Sequence, residues 1–352
     1  TRCSRDWSSD VCSSDLKKRS IWAIVSLAAT AVFLSGMATL ASAQTIELTY
    51  ANFFPPFHIQ SKLAESWCQE VEKRTNGAVK INYYPGGTLV KAPQIYDGVE
   101  QGIADIGMSV LAYSKGRFPV LGAMDLPIGY PNGVVATKIA NGVLDKFNPK
   151  EFDTTQIMFL HAHGPGMIHT RDKEVKNLAD LEGLKIRATG MSAKLASALG
   201  ATPVSMGMPD AYQSLQKGVV DGCAHPLEAN KGWKLAEVLE YVVDENSVAY
   251  TTTFFVTMNK AKWDSLTPEI QKTISEINME WSVKHGEAWD SSDAEGRAFF
   301  TEKGGQFVTL DDAEKKKWQA AVKPAIDAYS ADLDGKGING QEVIGYISSM
   351  LK

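Results

Sequence analysis

The feature that most restricts how this chain can fold is a thirteen-residue pattern used twice: PQIYDGVEQGIAD, Pro93 to Asp105, aligns without a gap on PDAYQSLQKGVVD, Pro209 to Asp221. The shared frame keeps a leading Pro, a Tyr, a Val or Leu followed by Glu or Gln, a Gly, two aliphatic residues and a closing Asp. In each copy Pro suits the first turn of a helix, Gly suits its end, and the β-branched residue after Gly suits an immediately returning strand. Helix-Gly-strand punctuation recurs by chance in α/β proteins, but an ungapped match of this length goes beyond punctuation. It predicts one αβ unit in each of two similar lobes.

Strand-like and helix-like segments alternate around the two copies. IELTYANF, VKINYYP, IADIGMS, QIMFLHAH and LKIRA suit strands, whereas 59–74, 192–199 and 268–284 suit helices. The last opens on Thr267-Pro268-Glu269, a cap, a first-turn proline and an early acid, and is expected to be long enough to cross both lobes. Such alternation predicts open α/β sheets, whose ligands bind beyond the carboxyl ends of the strands, here in a cleft between lobes.

Residues 1–16 read as a non-native leader. Lys17-Lys18-Arg19, the apolar run IWAIVSLAATAVFLSGMATL and Ala41-Ser42-Ala43 follow, which is the layout of a signal peptide over 17–43, removed near Ala43. A membrane anchor is the competing reading of so long an apolar run, but Gly36 and the small residues before Gln44 favour cleavage. The remaining length of about 300 residues suits two domains better than one core. Lys and Arg number 36 against 41 Asp and Glu, a mixed balance that gives no sign of a nucleic-acid partner. Cys68 and Cys223 are expected to stay unpaired, and no Cys follows the signal to carry a lipid.

Within GLKIRATGMS, residues 183–192, Gly183 reverses the chain, Leu184 to Ala188 alternate as a strand, and a helix capped by Ser192 follows. Arg187 is thereby aimed at a helix N-terminus. As an isolated arginine it would be read as a surface or interdomain ion pair.

The order of GLKIR, ALGATPVSM, the PxxYxxLQxGVVDG run and a following Pro, with YYPGGTL before the first copy and MNKAKWDSLTPEIQ after the second, resembles the DctP-like solute-binding proteins of TRAP transporters across residues 45–350. The resemblance implies an α/β, two-lobed, type II-like periplasmic-binding fold with a hinge. Lobe I is expected over 44–167 plus 255–299, including the long spanning helix, and lobe II over 168–254 plus 300–352. It also implies a periplasmic monomer that closes on an organic acid without catalysis and hands it to the small and large permease subunits. Arg187 falls where the family grips a ligand carboxylate, a role that bidentate guanidinium geometry explains. His225 occupies the place of a ligand-contacting Asn and could donate a hydrogen bond. Met167 falls where some members carry a second arginine, and Met208 where many stack an aromatic ring. Losing a cation and gaining thioethers implies one carboxylate on an otherwise apolar body, that is, a monocarboxylate. Asn52 matches a further contact position. Of its aromatic neighbours Phe53, Phe54 and Phe57, strand alternation lets only some face the cleft, and Phe54 is the expected one. Tyr113 is a weaker candidate.

Other signals carry less. His161, His163 and His169 invite a metal reading, but nothing fixes a further ligand or a supporting carboxylate, so no metal is expected; His163 is kept as a ligand contact beside Gly164-Pro165-Gly166. DLDGKGINGQE puts Lys336 and Val343 where a calcium loop needs ligands. Trp263, Trp281, Trp289 and Trp318 are expected to pack. No cofactor or catalytic motif stands out. Two rival readings remain: a secreted enzyme using His163 or His225 as a base, and a sensor subunit with the same cleft.

Overall fold

A computed structural model describes residues 45–351, so the signal peptide and its cleavage point lie outside the described residues. The strands among them are β1 Ile46–Asn52, β2 Val79–Tyr84, β3 Ile106–Val110, β4 Thr155–Ala162, β5 Gly166–Thr170, β6 Lys185–Arg187, β7 Thr202–Val204, β8 Gly222–Pro226, β9 Tyr241–Val243, β10 Thr253–Asn259 and β11 Gln306–Val308. The helices are α1 Ile59–Arg74, α2 Ile95–Glu100, α3 Gly133–Phe147, α4 Gly190–Ala198, α5 Ala211–Gln216, α6 Ala229–Gly232, α7 Lys260–Ser265, α8 Pro268–Glu302, α9 Asp312–Gly335 and α10 Gly340–Met350. The strands form two sheets, ordered β2-β1-β3-β10-β4 and β11-β9-β5-β8-β6-β7, one in each lobe of an α/β fold.

The repeated pattern proves to be the same device in both lobes. Each copy forms a short helix, α2 or α5, ended by a glycine in the left-handed region, Gly102 at φ 75° and Gly218 at φ 69°. The closing Asp of each copy then fastens the neighbouring strand. Asp105 Oδ2 accepts from the Thr49 backbone N–H at 2.8 Å, and Asp221 Oδ2 accepts from the Lys185 N–H at 2.8 Å. One detail departs from expectation. Ile103 and Val219 do not start strands but stand 57% and 51% exposed, and β3 and β8 begin only after the aspartates.

The long helix α8 starts as expected, with the Thr267 hydroxyl accepting from Ile270 N–H, and runs 35 residues, about 50 Å at 1.5 Å per residue. Its first half docks on lobe I. There Trp67 Nε1 donates to Asn278 Oδ1 at 3.0 Å and Trp281 Nε1 to the Leu63 carbonyl at 2.9 Å. Further along, Asp290 accepts from Gly133 and Val134 N–H at the start of α3, while Asp293 accepts from Glu228 N–H in lobe II at 2.8 Å. Gly296 lets the helix backbone pass against the Leu227 and Glu228 main chain, since a Cβ there would lie 2.0 Å from the Leu227 carbonyl oxygen.

Sheet membership redraws the lobe limits expected from sequence. The chain leaves the first sheet after Ala162 and enters the second at Gly166, so 166 and 167 sit with lobe II; it returns at Thr253 rather than at 255. The C-terminal segment divides. Trp318 and Val322 of α9 pack with Ile186, Leu195 and Val243 of the second sheet, but Leu333, Val343 and Ile347 pack with Leu121, Ala140 and Val143 beside the first. An amphipathic α10 has its apolar stripe covered only there, which is why 300–352 does not stay in one lobe.

The two glycines of contrasting surroundings give a paired expectation. Gly296→Ala should destabilise the protein by about 1–3 kcal/mol through overpacking against backbone. Gly345→Ala, inside α10 with no atom near the new methyl, should stabilise by about 0.5–1 kcal/mol. Thermal unfolding of both variants checks the pair; equal shifts would mean that α8 does not pass Leu227 this closely.

Candidate functional site

The carboxyl ends of both sheets meet at a cavity lined from both lobes, as ligand sites of open α/β sheets are. Lobe I lines it with Phe53, Phe54, Tyr113 and Phe254, lobe II with Arg187, Met208, His225 and Trp233, the chain crossings with His163, Tyr250 and Thr252, and α8 with Trp289.

Arg187 ends β6 and is 5% exposed. Its side edge is taken by one main-chain acceptor: Nε and Nη2 both donate to the Met206 carbonyl, at 3.1 and 3.0 Å. Nη2 also reaches Tyr113 Oη at 3.5 Å. Nη1 makes no hydrogen bond to a described nitrogen or oxygen atom, which leaves it open to a further acceptor. No described carboxylate lies within ion-pair distance of the guanidinium. The one acid lining the cavity, Glu228, is engaged by His58 Nε2 at 2.6 Å. The helix beside Arg187 is α4, whose N-cap is Thr189 rather than Ser192: Ser192 sits at the third helical position in a reciprocal capping box, its hydroxyl accepting from Thr189 N–H at 3.0 Å. Gly190, at φ 52°, brings this helix start against Ala112 of lobe I, where a Cβ would meet the Ala112 methyl at 2.8 Å.

Tyr113 joins the lobes directly, since its hydroxyl accepts from Met208 N–H at 2.8 Å. The aromatic wall is built by a turn. Asn52 Oδ1 accepts from Phe54 N–H at 3.0 Å and its Nδ2 donates to Tyr83 Oη at 2.8 Å, which ends β1 and frees Phe53 and Phe54 from strand alternation. Both rings therefore line the cavity, and Phe57 alone points out, 57% exposed. Phe53 stacks at 6.2 Å from Trp233 and 6.5 Å from Phe254, within 21° and 15° of parallel.

Of the residues singled out in the sequence, Arg187, His225, Met208, Phe54, Tyr113 and His163 converge on the cavity. Asn52 and Met167 do not line it. Asn52 is buried and its amide is used up in shaping the turn, and Met167 packs with Leu215, Val220 and Phe300 in the lobe II core. His225 lines the cavity without a free donor: Nδ1 lies 3.2 Å from the Cys223 carbonyl, Nε2 lies 3.5 Å from Asn230 Oδ1, and the ring stacks on His169 at 3.7 Å. Trp233, Tyr250, Phe254 and Trp289 were missed. Trp289 was read as packing, and the TTTFF run, Thr251 to Phe255, was the available signal for a strand crossing between lobes.

Burial depresses five of the histidines. Burial holds His163 down to about 4 and His225 to about 3, each with the nearby Arg187 charge acting the same way. Burial likewise lowers His285 to about 3 and puts His161 and His169 well below the ordinary value.

Comparison with known proteins matches residues 50–332 to a family model described as DctP, bacterial extracellular solute-binding protein, family 7. A TRAP periplasmic solute-binding protein from Desulfovibrio salexigens, solved in an open complex, is 34% identical with a TM-score of 0.76, covering 87% of this chain and 95% of that one. One from Rhodoferax ferrireducens, solved with copurified benzoate, is 28% identical with a TM-score of 0.82, covering 87% and 98%. One from Bordetella bronchiseptica, with bound (R)- and (S)-mandelate, is 27% identical with a TM-score of 0.81 and the same coverage.

The depressed histidines set the sign of an acid response. The unfolded rings protonate near 6.5 while the folded ones stay neutral, so their contribution to stability is intact above about pH 6.5 and is lost as pH falls towards 4. In NMR titration the imidazole resonances of His163, His225 and His285 should not move between pH 8 and 6. A ring titrating near 6.5 would mean that water reaches it.

Proposed function

This chain belongs to the DctP family of bacterial extracellular solute-binding proteins, family 7, and we propose that it closes on a monocarboxylate with an aromatic or apolar body, gripped by Arg187. As a TRAP solute-binding protein it is a substrate receptor of a transporter and not an enzyme, and the family is extracytoplasmic. Delivery of the acid to a TRAP permease, with its small and large membrane subunits, completes the proposed role.

The observation that carries the reading is a buried guanidinium on the cavity wall with no described acid within ion-pair distance. Taking such a charge out of water costs several kcal/mol unless an anion and full hydrogen bonding offset it. A ligand carboxylate supplies both. The lining residues include no lysine and no second arginine, which favours one carboxylate over two. Phe53, Phe54, Trp233, Phe254 and Trp289 favour an apolar or aromatic remainder, whose rings gain from offset and edge contacts. The benzoate and mandelate held by two structural neighbours are acids of this kind. Closure follows from differential affinity: Tyr113 and Met208 approach from opposite lobes, so a ligand that bridges them favours the closed arrangement.

Replacing Arg187 by Met should weaken binding of the preferred acid by about 2–4 kcal/mol, because the carboxylate stays desolvated without a partner. That corresponds to roughly thirtyfold to several hundredfold in Kd. Arg187→Lys, which keeps charge but loses the fork, should fall between. Calorimetry on protein freed of carried-over ligand reads both, and an unchanged affinity in Arg187→Met would end the assignment. In a thermal-shift screen, an acid at a hundred times its Kd should add about 2.7 kcal/mol of stability; a response to neutral sugars alone would count equally against the carboxylate reading.

A further inference from the structure

We propose that His163 is a specificity-determining residue whose Nε2 accepts a hydrogen bond from a hydroxyl on the bound acid, so that the cleft selects hydroxylated carboxylic acids over their unsubstituted parents. The proposal rests on the carboxylate reading of the same cleft and adds a second polar anchor to it.

The tautomer follows from one contact. His163 Nδ1 lies 2.6 Å from the Gly164 carbonyl oxygen. A carbonyl can only accept, so Nδ1 carries the proton. The ring is neutral, held to about 4 chiefly by burial, and a neutral imidazole has a single N–H. Nε2 is therefore a lone pair, on a residue that lines the cavity and is 3% exposed.

The protein provides no described donor for that lone pair. Tyr250, Phe254 and Trp289 surround the ring with centroids at 5.6, 6.3 and 6.1 Å. The nearby indole N–H, Trp289 Nε1, donates to His161 Nδ1 at 3.0 Å instead. The ring is not free to search for another partner, because its backbone is clamped at the lobe crossing: Thr251 Oγ1 donates to the His163 carbonyl at 2.6 Å, and His163 N–H donates to the Thr252 carbonyl at 3.4 Å. An acceptor that the protein leaves open at the cavity wall is satisfied by a ligand hydroxyl, whereas a ligand C–H laid against it would desolvate it without a partner. Sites that hydrogen-bond a substrate hydroxyl reject the analogue lacking it far more strongly than apolar pockets discriminate by size.

The test is calorimetric titration of the intact protein, freed of bound ligand, with benzoate and its 2-, 3- and 4-hydroxy isomers, and with phenylacetate and mandelate. At least one hydroxylated acid should bind about tenfold or more tighter than its parent. His163→Phe should abolish the preference, so that a hydroxylated acid and its parent bind within about threefold of one another, whereas His163→Gln, which retains an acceptor, should keep part of it. The Gln variant and the wild-type panel decide the matter if the Phe variant does not fold. Hydroxylated acids binding no tighter than their parents, or a preference that survives His163→Phe, would overturn the role given to His163. If the parents fail to bind as well, the carboxylate reading falls with it.

Discussion

A guanidinium buried without an opposing carboxylate is the constraint around which the rest of this structure is arranged. Arg187 cannot shed its charge, and its desolvation is only partly offset by one main-chain carbonyl and a tyrosine hydroxyl. The Met206 carbonyl orients the fork by accepting along its side edge. The residues around it have ordinary tasks that serve this one: the Thr189 and Ser192 box fixes the start of α4, and Gly190 removes the side chain that would hold lobe I away.

The opposite wall reaches the arginine through the connections between lobes rather than through either lobe alone. β10 is the antiparallel member between β3 and β4, and it enters the first sheet directly from the second, which puts Tyr250, Thr252 and Phe254 at the cleft. β4 leaves by the neighbouring crossing and puts His163 there. α8 spans both lobes and contributes Trp289 between its two docking surfaces. Three chain passages thus converge on one cavity and add Tyr250, Phe254 and Trp289 to the rings of Phe53, Phe54, Tyr113 and Trp233.

How much of this was readable in the sequence follows from the kind of signal each residue gives. The place of Arg187 on the cavity wall was legible because it closes a short apolar strand before a helix start within motifs that resemble the family's. The repeat gave the two lobes because each copy is a local unit, its glycine and aspartate acting within a few residues or on the adjacent strand. Asn52 and Met167 were placed by family position, yet here the Asn52 amide is spent on the turn at the end of β1, and Met167 packs inside lobe II. Phe53 was set aside because alternation was applied one residue past the end of its strand. Trp233 and Trp289 were beyond reach of any local rule, since what makes them site residues is the long-range approach of lobes. The same applies to α10, whose apolar stripe says that it packs but not against which sheet.

That last helix has a consequence for the order in which the molecule can be made. Val343 and Ile347 close a core whose other members, Leu121, Ala140 and Val143, are synthesised some two hundred residues earlier, and β10 reaches the centre of the first sheet only after all of the intervening strands of the second. A chain emerging from its N-terminus therefore lacks the strand that joins β3 to β4, and has an uncovered face, for most of its synthesis. Neither half can become a finished domain before the other, which makes the fold a late, cooperative event and keeps the growing chain dependent on whatever shields its apolar segments until the final turn is delivered.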